Sequence, residues 1–132
     1  MVAALLLFCS CGAKISLRKG DQSYALGEYT DAAARYKKAY AGTPAKEKEL
    51  RGKIAFKLGE SYRHISYAPR AIAAYQNAVR YKYPDSIVYR HLADMQRKEG
   101  KFKDAEKDAK GLTQRGRLIM HRLVMCYILV WS

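Results

Sequence analysis

Two stretches of the chain decide how it folds: GEYTDAAARYKKA at residues 27–39 and APRAIAAYQNA at residues 68–78. Both carry an alanine, a tyrosine and a second alanine at the same spacing. These positions are Ala32, Tyr36 and Ala39 in the first stretch, and Ala71, Tyr75 and Ala78 in the second. The spacing places all three side chains on one face of a helix. A pattern that recurs in this way predicts a repeat architecture.

The residues around these stretches extend the pattern. A third copy, GKFKDAE, occupies residues 100–106, and small or apolar residues precede the later copies at matching positions. These residues are Leu58, Gly59 and Tyr62 before the second copy, and Tyr89, Leu92 and Ala93 before the third. The set resembles the tetratricopeptide (TPR) motif, a helix pair of about 34 residues. The resemblance implies an all-α fold, a right-handed α-solenoid of about three TPR helix-turn-helix units.

The resemblance also divides the chain. The TPR-like repeats cover residues 13–112, residues 1–12 form a signal-like or lipobox-like segment, and residues 113–132 form an atypical apolar tail. The three units begin near Ala13, Gly52 and Ser86. An insertion at residues 45–50 (AKEKEL) separates the first two units, and its composition favours helix. We therefore expect the first helix of the second unit to be extended at its start.

Small and aromatic residues in the repeats have a packing role. Glycine or alanine is expected where two helices cross closely, because a larger side chain would push the helices apart. These positions are Gly20, Gly59, Ala32, Ala71 and Ala105. Tyr29 and Phe102 are expected to fill the turns, and Tyr36 and Tyr75 to pack between adjacent units. An aromatic cofactor site is the alternative, but tyrosines at helical spacing favour a core.

The composition and the motifs argue against an enzyme. No Ser-His-Asp spacing, glycine-rich phosphate loop or HExxH helix is present, and the cysteines lie outside the repeats. The cysteines are Cys9, Cys11 and Cys126, and the histidines are His64, His91 and His121. No Cys or His pair has the spacing of a zinc site, so we predict no catalytic residue, no metal and no cofactor.

The chain is strongly basic, with 25 Lys and Arg against 12 Asp and Glu and a formal net charge of +13. Such a charge is compatible with nucleic acid, an anionic membrane or an acidic protein partner. Lys and Arg residues alternate with Asp and Glu through the predicted helices, which favours a solvated protein surface over a nucleic-acid-binding face. Nucleic-acid binding by a basic helical repeat is kept as the alternative function.

The N-terminus resembles the lipobox of bacterial lipoproteins. An apolar run from Val2 to Phe8 is followed by Cys9, Ser10, Cys11 and Gly12. Cys11, preceded by a small residue, is the predicted lipidation site, and its acyl chains would tether the protein to a membrane. The resemblance implies a bacterial cell-envelope location, as an outer-membrane lipoprotein facing the periplasm. The alternative is an apolar segment that packs on the first repeat.

A lipobox followed by TPR units is also the order found in larger outer-membrane lipoproteins that carry an OmpA-like domain, some of them in secretion complexes.

The stretch from Leu118 to Trp131 is apolar apart from His121 and Arg122. It is either a terminal cap on the third unit or a tail foreign to the fold. The sequence favours the foreign tail, because a cap needs a polar outer face.

In TPR proteins the first helices of the units line a concave groove that holds a protein or peptide partner. The matching positions here are Lys14, Asp21, Tyr24, Lys53, Phe56, Glu60, Arg63, Arg90, Asp94 and Arg97. The carboxylate-clamp variety of the family has an asparagine in the middle of this set. This chain has acids at that place, namely Asp21, Glu60 and Asp94, so we do not expect a carboxylate clamp. The resemblance implies a membrane-tethered scaffold that binds a protein partner.

Overall fold

The computed structural model describes residues 2–101, 103–104, 107–108, 110–111 and 113–118, with side chains from residue 12 onward. Its helices are α1 (Val2–Ala25), α2 (Tyr29–Gly42), α3 (Lys48–His64), α4 (Ala68–Arg80) and α5 (Ile87–Lys98). The described residues between 103 and 118 are also helical, and no strand occurs in the described part of the chain. The predicted all-α class is confirmed.

The helices pack in the order in which they follow one another along the chain. α1 packs on α2, α2 on α3, α3 on α4, and α4 on α5. The pairs α1–α2 and α3–α4 are therefore the first and second units, and α5 begins the third. Stacking of neighbouring units in this way is the defining feature of a solenoid.

The turn inside each unit has the same backbone geometry. Gly27 and Gly100 take φ values of 78° and 80°, and Ser66 takes 59° at the matching place in the second unit. The residue after each of them donates its N–H to a carbonyl five residues earlier, which closes the preceding helix. These hydrogen bonds run from Glu28 to Ser23, from Tyr67 to Tyr62, and from Lys101 to Gln96. Glycine suits this left-handed conformation, and only the second unit places another residue there.

The predicted helix crossings are confirmed for the first two units. Ala32 and Ala71 are completely buried, and the rings of Tyr36 and Tyr75 are 1% and 0% exposed. Each ring lies against the glycine of its own unit, Gly20 for Tyr36 and Gly59 for Tyr75. The tyrosines thus fill the crossing within a unit as well as contacting the next one. The corresponding positions of the third unit, Phe102 and Ala105, lie outside the described residues.

The expected extension of the first helix of the second unit is confirmed in part. α3 begins at Lys48, so three of the inserted residues are helical, whereas residues 45–47 form a turn. The N–H of Glu47 donates to the carbonyl of Pro44 at 3.0 Å, and this turn replaces the first part of the expected helix.

Two of the predictions from sequence concern the ends of the chain, namely the lipobox-like segment and the apolar tail. α1 starts at Val2 and continues unbroken through residue 12 into the first unit. The side chain of Cys11 and residues 119–132, which include most of the apolar tail, lie outside the described part. Among the described helices, none has an apolar stretch long enough to cross a bilayer.

Candidate partner-binding groove

A concave pocket of about 410 Å³ lies between the first helices of units one and two. Its lining combines aromatic rings with charged side chains drawn from three helices. The lining residues are Asp21 and Tyr24 from α1, Tyr36 from α2, and Phe56, Lys57 and Glu60 from α3. Because α1 and α3 both contribute, the pocket exists only when the two units are stacked.

Asp21 forms the first charged cluster of the pocket. Its Oδ1 accepts a hydrogen bond from the Tyr36 hydroxyl at 2.7 Å and another from Lys57 Nζ at 2.6 Å. The carboxylate is 44% exposed and the lysine 43%, so this cluster faces the open groove. Asp21 therefore joins both helices of its own unit to the first helix of the next.

Glu60 forms a second, more buried cluster, with its side chain 12% exposed. Its Oε1 accepts from the Tyr75 hydroxyl at 2.5 Å and lies 2.5 Å from His91 Nδ1. Its Oε2 accepts from Arg63 Nη2 at 2.7 Å. Both oxygens of Glu60 are thus engaged by the protein itself.

The two clusters repeat one arrangement, which we call the carboxylate ladder. In each, a tyrosine 15 residues after the acid donates to it from the second helix of the same unit. A basic side chain from the first helix of the next unit completes the cluster, Lys57 for Asp21 and His91 for Glu60. The ladder therefore links unit one to unit two and unit two to unit three.

The ladder shifts the pKa values of Glu60, Tyr36 and Tyr75. Burial opposes ionisation of Glu60, but hydrogen bonds from Arg63 and Tyr75 outweigh it and lower the pKa of Glu60 below its ordinary 4.5. Burial, together with the hydrogen bond to a carboxylate, raises the pKa of Tyr36 and of Tyr75 well above the ordinary value. At neutral pH the carboxylate of Glu60 is ionised and both tyrosines are neutral donors.

Aromatic rings form the walls beside the ladder. Phe56 stacks on Tyr83 with ring centres 4.6 Å apart. At the other end of the pocket, Tyr29 stacks on His64 at 4.2 Å, and the Tyr24 hydroxyl lies 3.1 Å from His64 Nε2. These contacts hold the rings of Phe56 and Tyr24 at the pocket edge, which gives the groove fixed apolar faces.

The structure brings together four of the ten residues that the sequence placed in the groove. Asp21, Tyr24, Phe56 and Glu60 line the pocket, and Arg63 donates a hydrogen bond to Glu60.

The other five predicted groove residues lie away from the pocket. Asp94 pairs with Arg97 on the exposed surface of α5. Lys53 pairs with Glu49 at 3.1 Å and lines a separate cavity. Lys14 and Arg90 are exposed.

The sequence does not predict four residues of the site as groove residues: Tyr36, Lys57, Tyr75 and His91. The sequence predicts the two tyrosines as core residues, and they are buried, but their hydroxyls reach the groove acids. Lys57 and His91 occupy the same position of successive units, and this coincidence was the available signal. Among the described residues, no group of three His, Cys, Asp or Glu side chains is placed to hold a metal ion.

Comparison with known proteins agrees with this architecture. No family model and no curated protein sequence matches the chain. Its structure is similar to the crystal structure of the TPR domain of Arabidopsis FLU, with a TM-score of 0.72. The match covers 83% of this chain and 98% of that domain, at 18% sequence identity. At this identity the likeness concerns the fold, and the chain accordingly has the fold of a TPR domain, an all-α solenoid of helix-turn-helix units.

Proposed function

We propose that the protein is a scaffold that binds a partner protein or peptide in the concave groove between its units. The observation that carries this proposal is the pocket of about 410 Å³ that spans two units and presents fixed aromatic and charged side chains. A concave, preformed site with apolar walls and a few placed polar groups is the usual form of a binding site.

The chemistry of the pocket favours binding over catalysis. Both oxygens of Glu60 are taken by Arg63, Tyr75 and His91, so this carboxylate is not free to move a proton. The low pKa of Glu60 also makes it a poor general base at neutral pH. The side chains are held in place for recognition, and we assign the protein no reaction.

The pairing of the groove cations argues against nucleic acid as the groove ligand. Lys57 is paired with Asp21 and Arg63 with Glu60, so these cations are already neutralised by neighbouring acids. A track for phosphates would require cations without such partners.

A peptide selection tests the groove. Peptides are selected from a random library for binding to the wild-type full chain. They should bind the Tyr24→Ala variant about tenfold more weakly than the wild type, because an aromatic anchor at an interface contributes more than about 1 kcal/mol. Tyr67→Ala is the matched control, since Tyr67 is 43% exposed and lies outside the pocket. Calorimetric titration gives the dissociation constants, and thermal melts verify folding. Equal affinities for the two variants would contradict the groove assignment.

We further propose that acylation of Cys11 tethers this scaffold to a bacterial envelope membrane, in the periplasm, where it serves assembly of an envelope or secretion complex. The support is the lipobox-like sequence around Ser10 and Cys11. Two or three acyl chains are enough for stable anchoring.

Cys11→Ala should abolish labelling by palmitate and release the protein from membranes after a high-salt wash, whereas Cys9→Ala should leave both unchanged. The wash removes contacts that are only electrostatic, so it isolates the acyl anchor. A wild-type chain that takes up no label would rule out this tether while leaving the groove proposal intact.

A further inference from the structure

The helical segment after α5 carries a row of long polar side chains. Lys103, Lys107, Lys110, Gln114 and Arg117 are all exposed. Their spacing of four, three, four and three residues returns to the same side of a helix at every step. We call this row the basic face. It lies outside the groove, and the proposed function makes no use of it.

Two adjoining cavities show that the basic face is continuous. One, of about 510 Å³, is lined by Lys103, Lys107, Asp108, Lys110, Gly111 and Gln114. The other, of about 570 Å³, is lined by Lys110, Gln114, Arg117 and Leu118. They share Lys110 and Gln114, so one open surface runs from the first lysine to the last arginine.

A different side of the same segment holds it to the body of the protein. The guanidinium of Arg115 lies 5.0 Å from the centre of the Tyr89 ring, and its Nη1 donates to the Tyr83 carbonyl at 3.4 Å. Asp108, the acid that lines the first cavity, accepts a hydrogen bond from Gln96 at 2.8 Å. These contacts turn Arg115 and the Asp108 carboxylate toward the body, while the basic face is directed to solvent.

The neighbouring sequence identifies the kind of partner. Leu118, which closes the second cavity, is 62% exposed. The residues that follow, 119–131 (IMHRLVMCYILVW), are apolar in sequence except for His121 and Arg122. Cations on a helix that adjoin apolar residues match a bilayer surface with anionic headgroups, which offers negative charge and an apolar layer together. A phosphate track on a nucleic acid would use only the cations, whereas a bilayer surface uses both features of this end of the chain.

We infer that the basic face, formed by Lys103, Lys107, Lys110, Gln114 and Arg117, docks the C-terminal end of the solenoid on an anionic lipid surface. This contact is independent of Cys11 and does not rest on the proposed acylation. It places the third unit against the membrane and leaves the pocket between units one and two open to a partner.

The test uses the full chain with Cys11→Ala, so that no acyl chain contributes. Binding is measured by co-sedimentation with phosphatidylcholine vesicles that contain about a third phosphatidylserine, and with pure phosphatidylcholine vesicles. The triple variant Lys103→Gln, Lys107→Gln, Arg117→Gln should bind the anionic vesicles about a hundredfold more weakly, since each cation near the surface contributes about fivefold.

Two variants serve as controls. The triple variant Lys37→Gln, Lys38→Gln, Arg80→Gln loses the same charge from exposed sites elsewhere and should bind within about twofold of the parent. The triple variant Lys103→Arg, Lys107→Arg, Arg117→Lys keeps the charge on the face and should retain binding. Circular dichroism and thermal melts establish that each variant is folded.

Three results would overturn the inference. The first is an equal loss of binding in the two glutamine variants, which would show a response to net charge alone. The second is equal binding of the parent to neutral and anionic vesicles. The third is binding to short duplex DNA or to polyglutamate that depends on the basic face when vesicle binding does not, which would assign the face to a nucleic acid or an acidic protein.

Discussion

Gly59→Ala is expected to lower the free energy of unfolding by about 2 kcal/mol, because overpacking of a tight crossing costs about 1–3 kcal/mol. A methyl group at this position would lie 2.6 Å from Cε1 and 2.7 Å from Cδ1 of Tyr75. Tyr75 cannot move aside, since its ring is completely buried and its hydroxyl is held by Glu60. The change therefore strains the crossing between α3 and α4, and urea denaturation measures it.

Gly12→Ala is the matched control for this prediction. Gly12 is also in a helix, but none of the described atoms lies within 4 Å of the position that its methyl group would take. Alanine is the better helix former by about 1 kcal/mol, so this variant should be unchanged or slightly more stable. If both alanine variants had the same stability, the close contact at Gly59 would not be a determinant of the fold.

Glu60→Ala should lower the free energy of unfolding by about 3 kcal/mol, because it leaves the polar and charged partners of a partly buried carboxylate without their acceptor. The variant would leave Arg63, Tyr75 and His91 without the carboxylate that they share. Unit two would lose the polar link to unit three that the carboxylate ladder provides. Chemical denaturation at neutral pH measures the loss, and the melting temperature gives a second estimate.

The control is Asp94→Ala, which removes the exposed pair with Arg97. Such a surface pair contributes about 0–1 kcal/mol. Asp94→Ala should therefore lower the free energy of unfolding much less than Glu60→Ala does, although both acids occupy the same position of their units. A large loss in Asp94→Ala with a small loss in Glu60→Ala would contradict the carboxylate ladder.

The pH dependence of stability gives a second readout of the Glu60 contacts. The pKa of Glu60 is lower in the folded chain than its ordinary 4.5. Its contribution to stability is therefore complete above about pH 4.5 and is lost as the pH falls through the lower, folded pKa. The wild type should lose more stability than Glu60→Gln over that acid range, because glutamine does not titrate. Parallel stability curves for the two proteins would show that Glu60 has no lowered pKa.

Most of the fold could be predicted from the sequence because its determinants are local. The recurrence of Ala32 as Ala71 and of Tyr36 as Tyr75 indicates helix faces that pack in the same way, and the structure has these residues buried at the crossings. Gly27 and Gly100 mark turns because the left-handed backbone favours glycine. Ser66 occupies the same turn position in unit two without this signal, and only its φ angle in the structure reveals the turn.

The candidate site depended on contacts that are distant in sequence. Lys57 meets Asp21 across 36 residues, and His91 meets Glu60 across 31. The sequence alone offers several Lys, Arg and His residues as possible partners of each acid. Only the stacking of one unit on the next selects among them, because it sets which side chains come within hydrogen-bonding distance.

Sequence periodicity thus determined the helix pairs, the small residues at their crossings and the class of fold, since each depends on residues a few turns apart. The tertiary structure alone decided that the tyrosine hydroxyls bond to the groove acids, and that Lys53 and Asp94 lie away from the pocket. The physical reason is the separation along the sequence between the residues that interact. Helix faces and turns are fixed by neighbouring residues, whereas a groove between units exists only after separate units have packed together.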